Sequence, residues 1–311
     1  MTKVLLLVEP KTEQLQQLKS EFPTATFTTD PADCRDAEII LGWKADLAAT
    51  ILKNEQLQWI QAKSAGVDYF PLRQLEGLGI TLTNASGLHS RYIAETVSAY
   101  LLIENRGLRP VIKEPGQWIE PAVLETASQR VIIFGTGHIG QEIARYCRFF
   151  GMHVTGINRH GSDEHLSALF DDVITMQQFA AEDELLVTDY VINILPGTGA
   201  TTHFFDEKHL QKFTSGYTFI NVGRGTTVVT SDLQKMLATG YLRSAYLDVF
   251  EHEPLPASSA LWRSPQVIAT PHISGLMQHF RVALYPLFVD NLRRYFAGTH
   301  LRNVVDYQKE Y

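Results

Sequence analysis

Residues 131–140 read Val131-Ile-Ile-Phe-Gly135-Thr-Gly137-His-Ile-Gly140. A short β-rich apolar run leads straight into G-x-G-x-x-G. The residues that follow place Ile139, Ile143, Ala144, Cys147 and Phe150 at helical spacing. Strand, glycine turn and helix in that order are what binding a pyrophosphate requires. Gly135 permits the tight turn, Gly137 lets the backbone approach phosphate, and Gly140 allows close packing of helix on strand. The first helical N–H groups then point at an anion. Gly135, Thr136, Gly137, His138, Ile139 and Gly140 are therefore the first candidate cofactor residues, and a dinucleotide is the expected ligand.

Other apolar runs repeat around this one, at residues 4–8, 39–41, 80–83, 153–157, 190–195, 217–222, 245–249 and 267–270. Most lack polar alternation, which suits strands buried on both faces. Helical stretches fall between them, at residues 12–22, 90–105 and 231–238, the last with Ser231 as its expected cap. Strands alternating with helices predict α/β architecture with parallel sheets. The pattern occurs before about residue 90 and again after about residue 129, with an irregular stretch at 107–126 between. Residues 277–297 read as one long helix interrupted near Pro286.

At 311 residues the chain has room for roughly two domains and needs no disulfide or metal staple. Lys and Arg number 27 against 34 Asp and Glu, a formal charge of −7. That balance offers no general attraction to nucleic acid or anionic lipid, so any anion must be held locally. The two cysteines, Cys34 and Cys147, form no disulfide framework and suit a reducing cytoplasm. The apolar run at 4–8 is too short for a signal-peptide core, and no stretch is long enough for a membrane span. No metal site is expected.

Beyond the glycine turn, the next run ends in Asn158-Arg159-His160. NAD-binding folds carry Asp or Glu about 20 residues past the turn, on the ribose 2′-hydroxyl. Here Asn158 stands there, and Arg159 follows with a guanidinium able to pair with a 2′-phosphate. NADP(H) is thus preferred, with NAD(H) possible. An arginine in a surface loop is the ordinary alternative.

Three polar signatures come later, Asn221-Val-Gly-Arg224-Gly225, Leu247-Asp248-Val-Phe-Glu251-His-Glu253-Pro254 and Ala269-Thr-Pro271-His272. All fall at or just after expected strand ends, where open α/β sheets bind ligands. Singly, Arg224 reads as a turn residue, Glu253 as a loop acid and His272 as a structural histidine. Together they suit reduction of a 2-oxo acid. The arginine forks onto a carboxylate, and the histidine protonates the carbonyl oxygen. The glutamate orients the ring. Asp248 would be costly to bury without partners.

With these signatures, and Leu195-Pro196-Gly-Thr198, the chain resembles the D-isomer-specific 2-hydroxyacid dehydrogenases over essentially its whole length. The resemblance implies a Rossmann nucleotide domain and a flavodoxin-like substrate domain, both doubly wound parallel sheets, with a cleft between them. The substrate domain would comprise residues 1–98 and 277–311, and the dinucleotide domain 99–276. It also implies Arg224, Glu253 and His272 as the catalytic set, and Leu195, Pro196, Val222, Gly223 and Asp248 near the cofactor. In Lys63-Ser-Ala65-Gly66-Val-Asp68 the Ala65 and Gly66 N–H groups would hold the substrate carboxylate. Glu95, in Ile93-Ala-Glu95-Thr, would be structural. Trp43 aligns loosely with reductases of glyoxylate and hydroxypyruvate, as a substrate neighbour or a core residue. A homodimer without the regulatory domain of some phosphoglycerate dehydrogenases is implied. The function so read is NADP(H)-dependent interconversion of a small 2-oxo acid and its D-2-hydroxy acid. The alternatives are a dehydrogenase of bulkier 2-oxo acids and a corepressor-like nucleotide-sensing protein.

Overall fold

Val4, Leu5, Leu6 and Ile39, Ile40, Leu41 are almost wholly buried, as strands covered on both faces must be. The computed structural model describes Met1–Tyr311 and divides into two compact units. One comprises Met1–His89 with Met277–Tyr311, the other Ser90–Leu276. The first opens with β1 (Thr2–Leu6), α1 (Thr12–Glu21), β2 (Ala25–Thr28), β3 (Ile39–Leu41), α2 (Ala48–Ile51), β4 (Trp59–Gln61), α3 (Leu72–Gly77) and β5 (Thr81–Thr83). The second runs α4 (Ser90–Asn105), α5 (Leu108–Lys113), β6 (Arg130–Phe134), α6 (His138–Phe149), β7 (His153–Asn158), α7 (Glu164–Ser167), β8 (Asp172–Thr175), α8 (Met176–Ala181) and β9 (Tyr190–Asn193). It continues with α9 (Glu207–Leu210), β10 (Tyr217–Asn221), α10 (Thr230–Ala238), β11 (Leu242–Leu247), α11 (Ala260–Arg263) and β12 (Val267–Ala269). The chain then returns to the first unit as α12 (Phe280–Phe296).

Both sheets are parallel. The first has the order β2-β1-β3-β4-β5 and reverses direction between β1 and β3. The second has the order β12-β11-β10-β9-β6-β7-β8 and reverses between β6 and β9. These are the flavodoxin-like and Rossmann-like windings, with loops diverging at the strand ends beside each reversal. In the first unit Leu5, Ile40 and Ile60 pack one face. Leu6, Leu41 and Trp59 pack the other, against Leu284, Phe288 and Leu292 of α12. In the second, Phe134, Val191 and Phe219 meet Leu233 and Leu237 of α10. Ile133, Ile192 and Ile220 cluster with Val97 and Leu101 of α4 and Ile143 and Cys147 of α6.

Several elements depart from the sequence reading. The division between units precedes α4, whereas the expected one at 98/99 falls inside it. Val97 and Leu101 bury against α6 residues, so the helix stays whole with the second unit. β2 and β8 are half-exposed edge strands without an apolar run. β4 is wholly buried, but Gln61 interrupts its apolar pattern. That amide is satisfied inside, donating to Ala62 and Asn84 carbonyls and accepting from Thr83 Oγ1 and Asn291 Nδ2. The stretch expected to be irregular contains α5. α12 runs unbroken through Pro286, because that proline lies on the exposed face, where water can serve the carbonyl it leaves unbonded. No helix is long and apolar enough to cross a membrane.

Candidate active site

The second unit places its chemistry on six loops, each leaving the C-terminal end of a strand. At the first, Gly135 has φ +108°, a left-handed conformation open to glycine. A Cβ on Gly140 would lie 2.0 Å from the Gly135 carbonyl oxygen, so helix and turn meet only without one. A Cβ on Gly137 would meet nothing within 4 Å. The backbone is bare there, where α6 begins at His138 and Ile139 and its first N–H groups lack helical acceptors. This cradle fits a pyrophosphate.

The β7 loop is built by Asn158. Its Nδ2 donates to Thr136 Oγ1 (2.8 Å) and the Gly161 carbonyl (2.9 Å). Its Oδ1 accepts from the His160 and Gly161 N–H groups, at 2.8 and 2.6 Å. The amide is therefore spent on shaping the turn that carries the exposed Arg159 and tying it to the glycine loop.

Arg224 follows β10, beside the loop that leaves β9. A Cβ on Gly223 would lie 2.8 Å from Ile194 Cα and the Leu195 carbonyl oxygen, so the two loops touch. Leu195 and Val222 are buried, and the Pro196 carbonyl accepts from Thr201 Oγ1. Beneath them Asn193 Nδ2 donates to Asn221 Oδ1 (3.0 Å) and Thr227 Oγ1 (2.7 Å). Asn193 Oδ1 accepts from Leu195 N–H, and Asn221 Oδ1 from Gly223 N–H. Thr227 Oγ1 donates to the Arg224 carbonyl at 2.6 Å, and Arg224 Nη1 donates to the Gly223 carbonyl. Gly225 lies so close to Phe250 that a Cβ would fall 1.9 Å from its carbonyl carbon. That approach draws the Arg224 loop onto the loop bearing Glu251 and Glu253.

The β11 and β12 loops meet at His272. Glu253 Oε2 lies 2.7 Å from His272 Nδ1, and Glu253 Oε1 accepts from Phe250 N–H at 3.0 Å. With a carboxylate on it, Nδ1 carries a proton, and Nε2 is the nitrogen left for exchange. His272 has φ +54°, a strained conformation for a non-glycine residue, worth about 1–3 kcal/mol. The fully buried Asp248 holds it there. The Asp248 carbonyl accepts from His272 N–H at 2.8 Å. Its Oδ1 accepts from Thr270 Oγ1 (2.6 Å) and Ile273 N–H (2.9 Å), and its Oδ2 from Ser274 N–H (2.9 Å).

A second histidine–glutamate pair uses Glu251, two residues before Glu253. His203 Nε2 is 2.8 Å from Glu251 Oε1, and Glu251 Oε2 accepts from Thr230 N–H at 3.0 Å. Glu251 thus terminates α10 from outside. Ser231, the expected cap, lies inside the helix, because Thr230 already has helical geometry and Val229 holds the cap position.

In the first unit, Ala65 and Gly66 lie just beyond β4. Ser64 Oγ donates to the Gly66 carbonyl (2.9 Å), and Tyr69 lies 2.6 Å from Ser64 through its hydroxyl. The Ala65 and Gly66 N–H groups donate to no group of the chain, as suits an anion cradle. Trp43 is 9% exposed and packs on Phe70 at 4.9 Å, within the core of the first unit. Glu95 pairs with Arg91 on the exposed side of α4.

The sequence reading missed Asn193, Thr227 and Tyr100, and did not assign roles to Asn221 and Thr270. For Asn193, Asn221 and Thr270 the one signal is a polar residue at the end of an apolar strand, which burial obliges to find partners; Tyr100, inside α4, and Thr227, beyond Arg224, lack it.

Residues 110–274 match the family model described as D-isomer specific 2-hydroxyacid dehydrogenase, NAD binding domain. A glyoxylate/hydroxypyruvate reductase B of Klebsiella pneumoniae is 32% identical over 88% of this chain and 85% of its own. A solved NADPH-dependent glyoxylate/hydroxypyruvate reductase of Sinorhizobium meliloti, in complex with NADP and sulfate, is 27% identical, with a TM-score of 0.81 over 100% of both chains. A D-isomer specific 2-hydroxyacid dehydrogenase family protein of Aeromonas salmonicida is 31% identical, with a TM-score of 0.80 over 98% of this chain and 99% of its own.

Proposed function

The chain belongs to the D-isomer-specific 2-hydroxyacid dehydrogenases and is an oxidoreductase of that class; from there we propose that it reduces a small 2-oxo acid, of the glyoxylate or hydroxypyruvate type, with NADP(H). The observation that carries the proposal is the 2.7 Å Glu253–His272 pair in the unit that also holds Arg224 and the bare Gly137 cradle.

In this reading Gly135, Thr136, Gly137, His138, Ile139 and Gly140 receive the cofactor pyrophosphate on bare backbone and a helix N-terminus. Asn158 holds the turn from which Arg159 pairs with the 2′-phosphate. Leu195, Pro196, Val222 and Gly223 line the nicotinamide side. When bound, the cofactor supplies a hydride to C2 of the substrate. Arg224 pairs with the carboxylate and offsets charge growing on the carbonyl oxygen. The bare Ala65 and Gly66 N–H groups of the first unit form an anion cradle suited to a carboxylate. His272 gives its proton from Nε2 to the alkoxide, while Glu253 keeps the ring aligned. The preference for NADP(H) is supported by Arg159 and by the NADP held in the Sinorhizobium relative. A homodimer in the cytoplasm completes the proposal. Exposed apolar side chains on the second unit support the dimer, with Trp118 at 95%, Phe149 at 84% and Ile112 at 54% exposure.

The test is a panel of glyoxylate, hydroxypyruvate, pyruvate and branched 2-oxo acids, each with NADPH and NADH, followed by nicotinamide absorbance. Glyoxylate and hydroxypyruvate with NADPH are expected to turn over fastest. Best turnover of a branched acid would move the substrate to the bulkier class. Tight cofactor binding without turnover of any acid would favour a nucleotide-sensing protein. Sedimentation velocity tests the dimer, which a wild-type monomer at micromolar concentration would refute.

A further inference from the structure

Asp248 has no cation beside its carboxylate. It is held by donors alone, and those donors extend away from the active-site loops into α4. Thr270 Oγ1 gives its only hydrogen to Asp248 Oδ1 at 2.6 Å. Tyr100 on α4 lies 2.6 Å from Thr270 Oγ1 through its hydroxyl. Since the Thr270 hydrogen is committed, Tyr100 is the donor in that bond. The order is therefore directed, Tyr100 to Thr270 to Asp248, and Asp248 then fixes the Ile273 and Ser274 N–H groups that follow His272.

The origin of this chain is anchored. Tyr100 is 4% exposed. Its ring packs 5.1 Å from that of Tyr246, whose hydroxyl donates to the buried Glu104 at 2.9 Å. Burial pushes the Tyr100 hydroxyl up to about 12, so it remains a donor at working pH. In so dry a place each hydrogen bond polarises the next, and a missing donor is felt along the row. The Thr270 side chain precedes His272 and the two N–H groups follow it, so the row clamps both sides of a residue whose left-handed backbone has little reason to persist alone.

We propose that Tyr100 and Thr270 are positioning residues for His272, acting through Asp248 to hold the imidazole in its working orientation. This rests on the reading of His272 as the acid–base group. Neither side chain is assigned any contact with substrate or cofactor.

The experiment uses the full-length chain with Y100F, T270V and T270S. It measures kcat and KM for the best 2-oxo acid and for NADPH, and amide hydrogen exchange across residues 270–275. T270V is expected to lower kcat about 10–100-fold and Y100F about 3–10-fold, since small misplacements cost that much. KM for NADPH should stay within about threefold, and exchange of the Ile273 and Ser274 amides should quicken about tenfold in T270V. T270S, which keeps the hydroxyl, should return kcat to within about threefold of wild type. Wild-type kcat and wild-type amide protection in both Y100F and T270V would overturn the inference while leaving the proposed reductase standing. A wild-type chain that turns over no 2-oxo acid would instead overturn the proposed function, and this assignment with it.

Discussion

Two histidine–glutamate pairs occupy neighbouring loops of the second unit, and they are close to chemical twins. The bonds are 2.8 Å for His203–Glu251 and 2.7 Å for His272–Glu253. Both histidines have positive φ, +56° and +54°, and both side chains are about half exposed. Their surroundings separate them. Glu251 spends its second oxygen on the first N–H of α10, and His203 N–H bonds the Thr226 carbonyl. That pair straps a loop to a helix end. Glu253 steadies its own loop through Phe250 N–H, and His272 follows β12 on a turn organised by a buried carboxylate. The pair presents Nε2 on the same unit as Arg224 and the glycine cradle. A carboxylate on an imidazole is thus not itself a catalyst. Which nitrogen it engages, and what holds the ring, decides.

The sharpest way to break this contrast is to remove each imidazole in turn. H272Q is expected to lower kcat by about 10²–10⁴-fold, while H203Q stays within about threefold of wild type in the same assay. Comparable losses would mean that both pairs serve the reaction. Next comes the partner. E253Q should lower kcat about 10–100-fold with its thermal midpoint nearly unchanged, because an amide leaves the ring poorly aligned without unfolding the loop. A normal kcat would show that Glu253 has no part in orienting His272. E251A should reverse that profile, with near-normal kcat and a loss of about 1–2 kcal/mol in urea unfolding, the usual worth of a helix N-terminal acceptor. An undiminished unfolding midpoint would remove the strap.

The smallest effect is on pH dependence. Burial would raise the Glu251 carboxyl, but Thr230, through its side chain and N–H, and His203 outweigh it and hold the group below its usual range. The unfolded chain then binds a proton more readily than the folded one. The contribution of Glu251 to stability is complete above the ordinary carboxylate pKa and is lost as pH falls through the lower folded value. Urea midpoints near neutrality and at about pH 4 should therefore differ less in E251A than in wild type. Equal differences would contradict this sign.

The glycine turn and the Arg224, Glu253 and His272 signatures were legible because chemistry restricts which residues can serve there. Gly140 tolerates no Cβ, and each of the three polar groups belongs to a residue type with few substitutes. Asn158 was legible as the absence of an acid but not as a turn-builder. Its four partners are fixed by backbone geometry that composition does not encode. Trp43 carried two readings, and its packing on Phe70 shows its place in the core of the first unit. β2 and β8 were missed because edge strands need no apolar run, and β4 because a buried glutamine reads as polar until its partners are placed.

The sequence by itself determined the parallel α/β architecture, the family and the candidates for the reacting side chains. These depend on local periodicity, on glycine sterics and on residue chemistry, all carried by short stretches of chain. The tertiary structure decided that a second histidine–glutamate pair forms and that its glutamate is tied to the start of α10. It also decided how Asp248 is paid for inside the unit. Those outcomes depend on contacts such as Tyr100 to Thr270 and Gly225 to Phe250, between groups far apart in sequence. No local pattern records them, because a buried polar group constrains only that a partner exist, and the fold chooses which one.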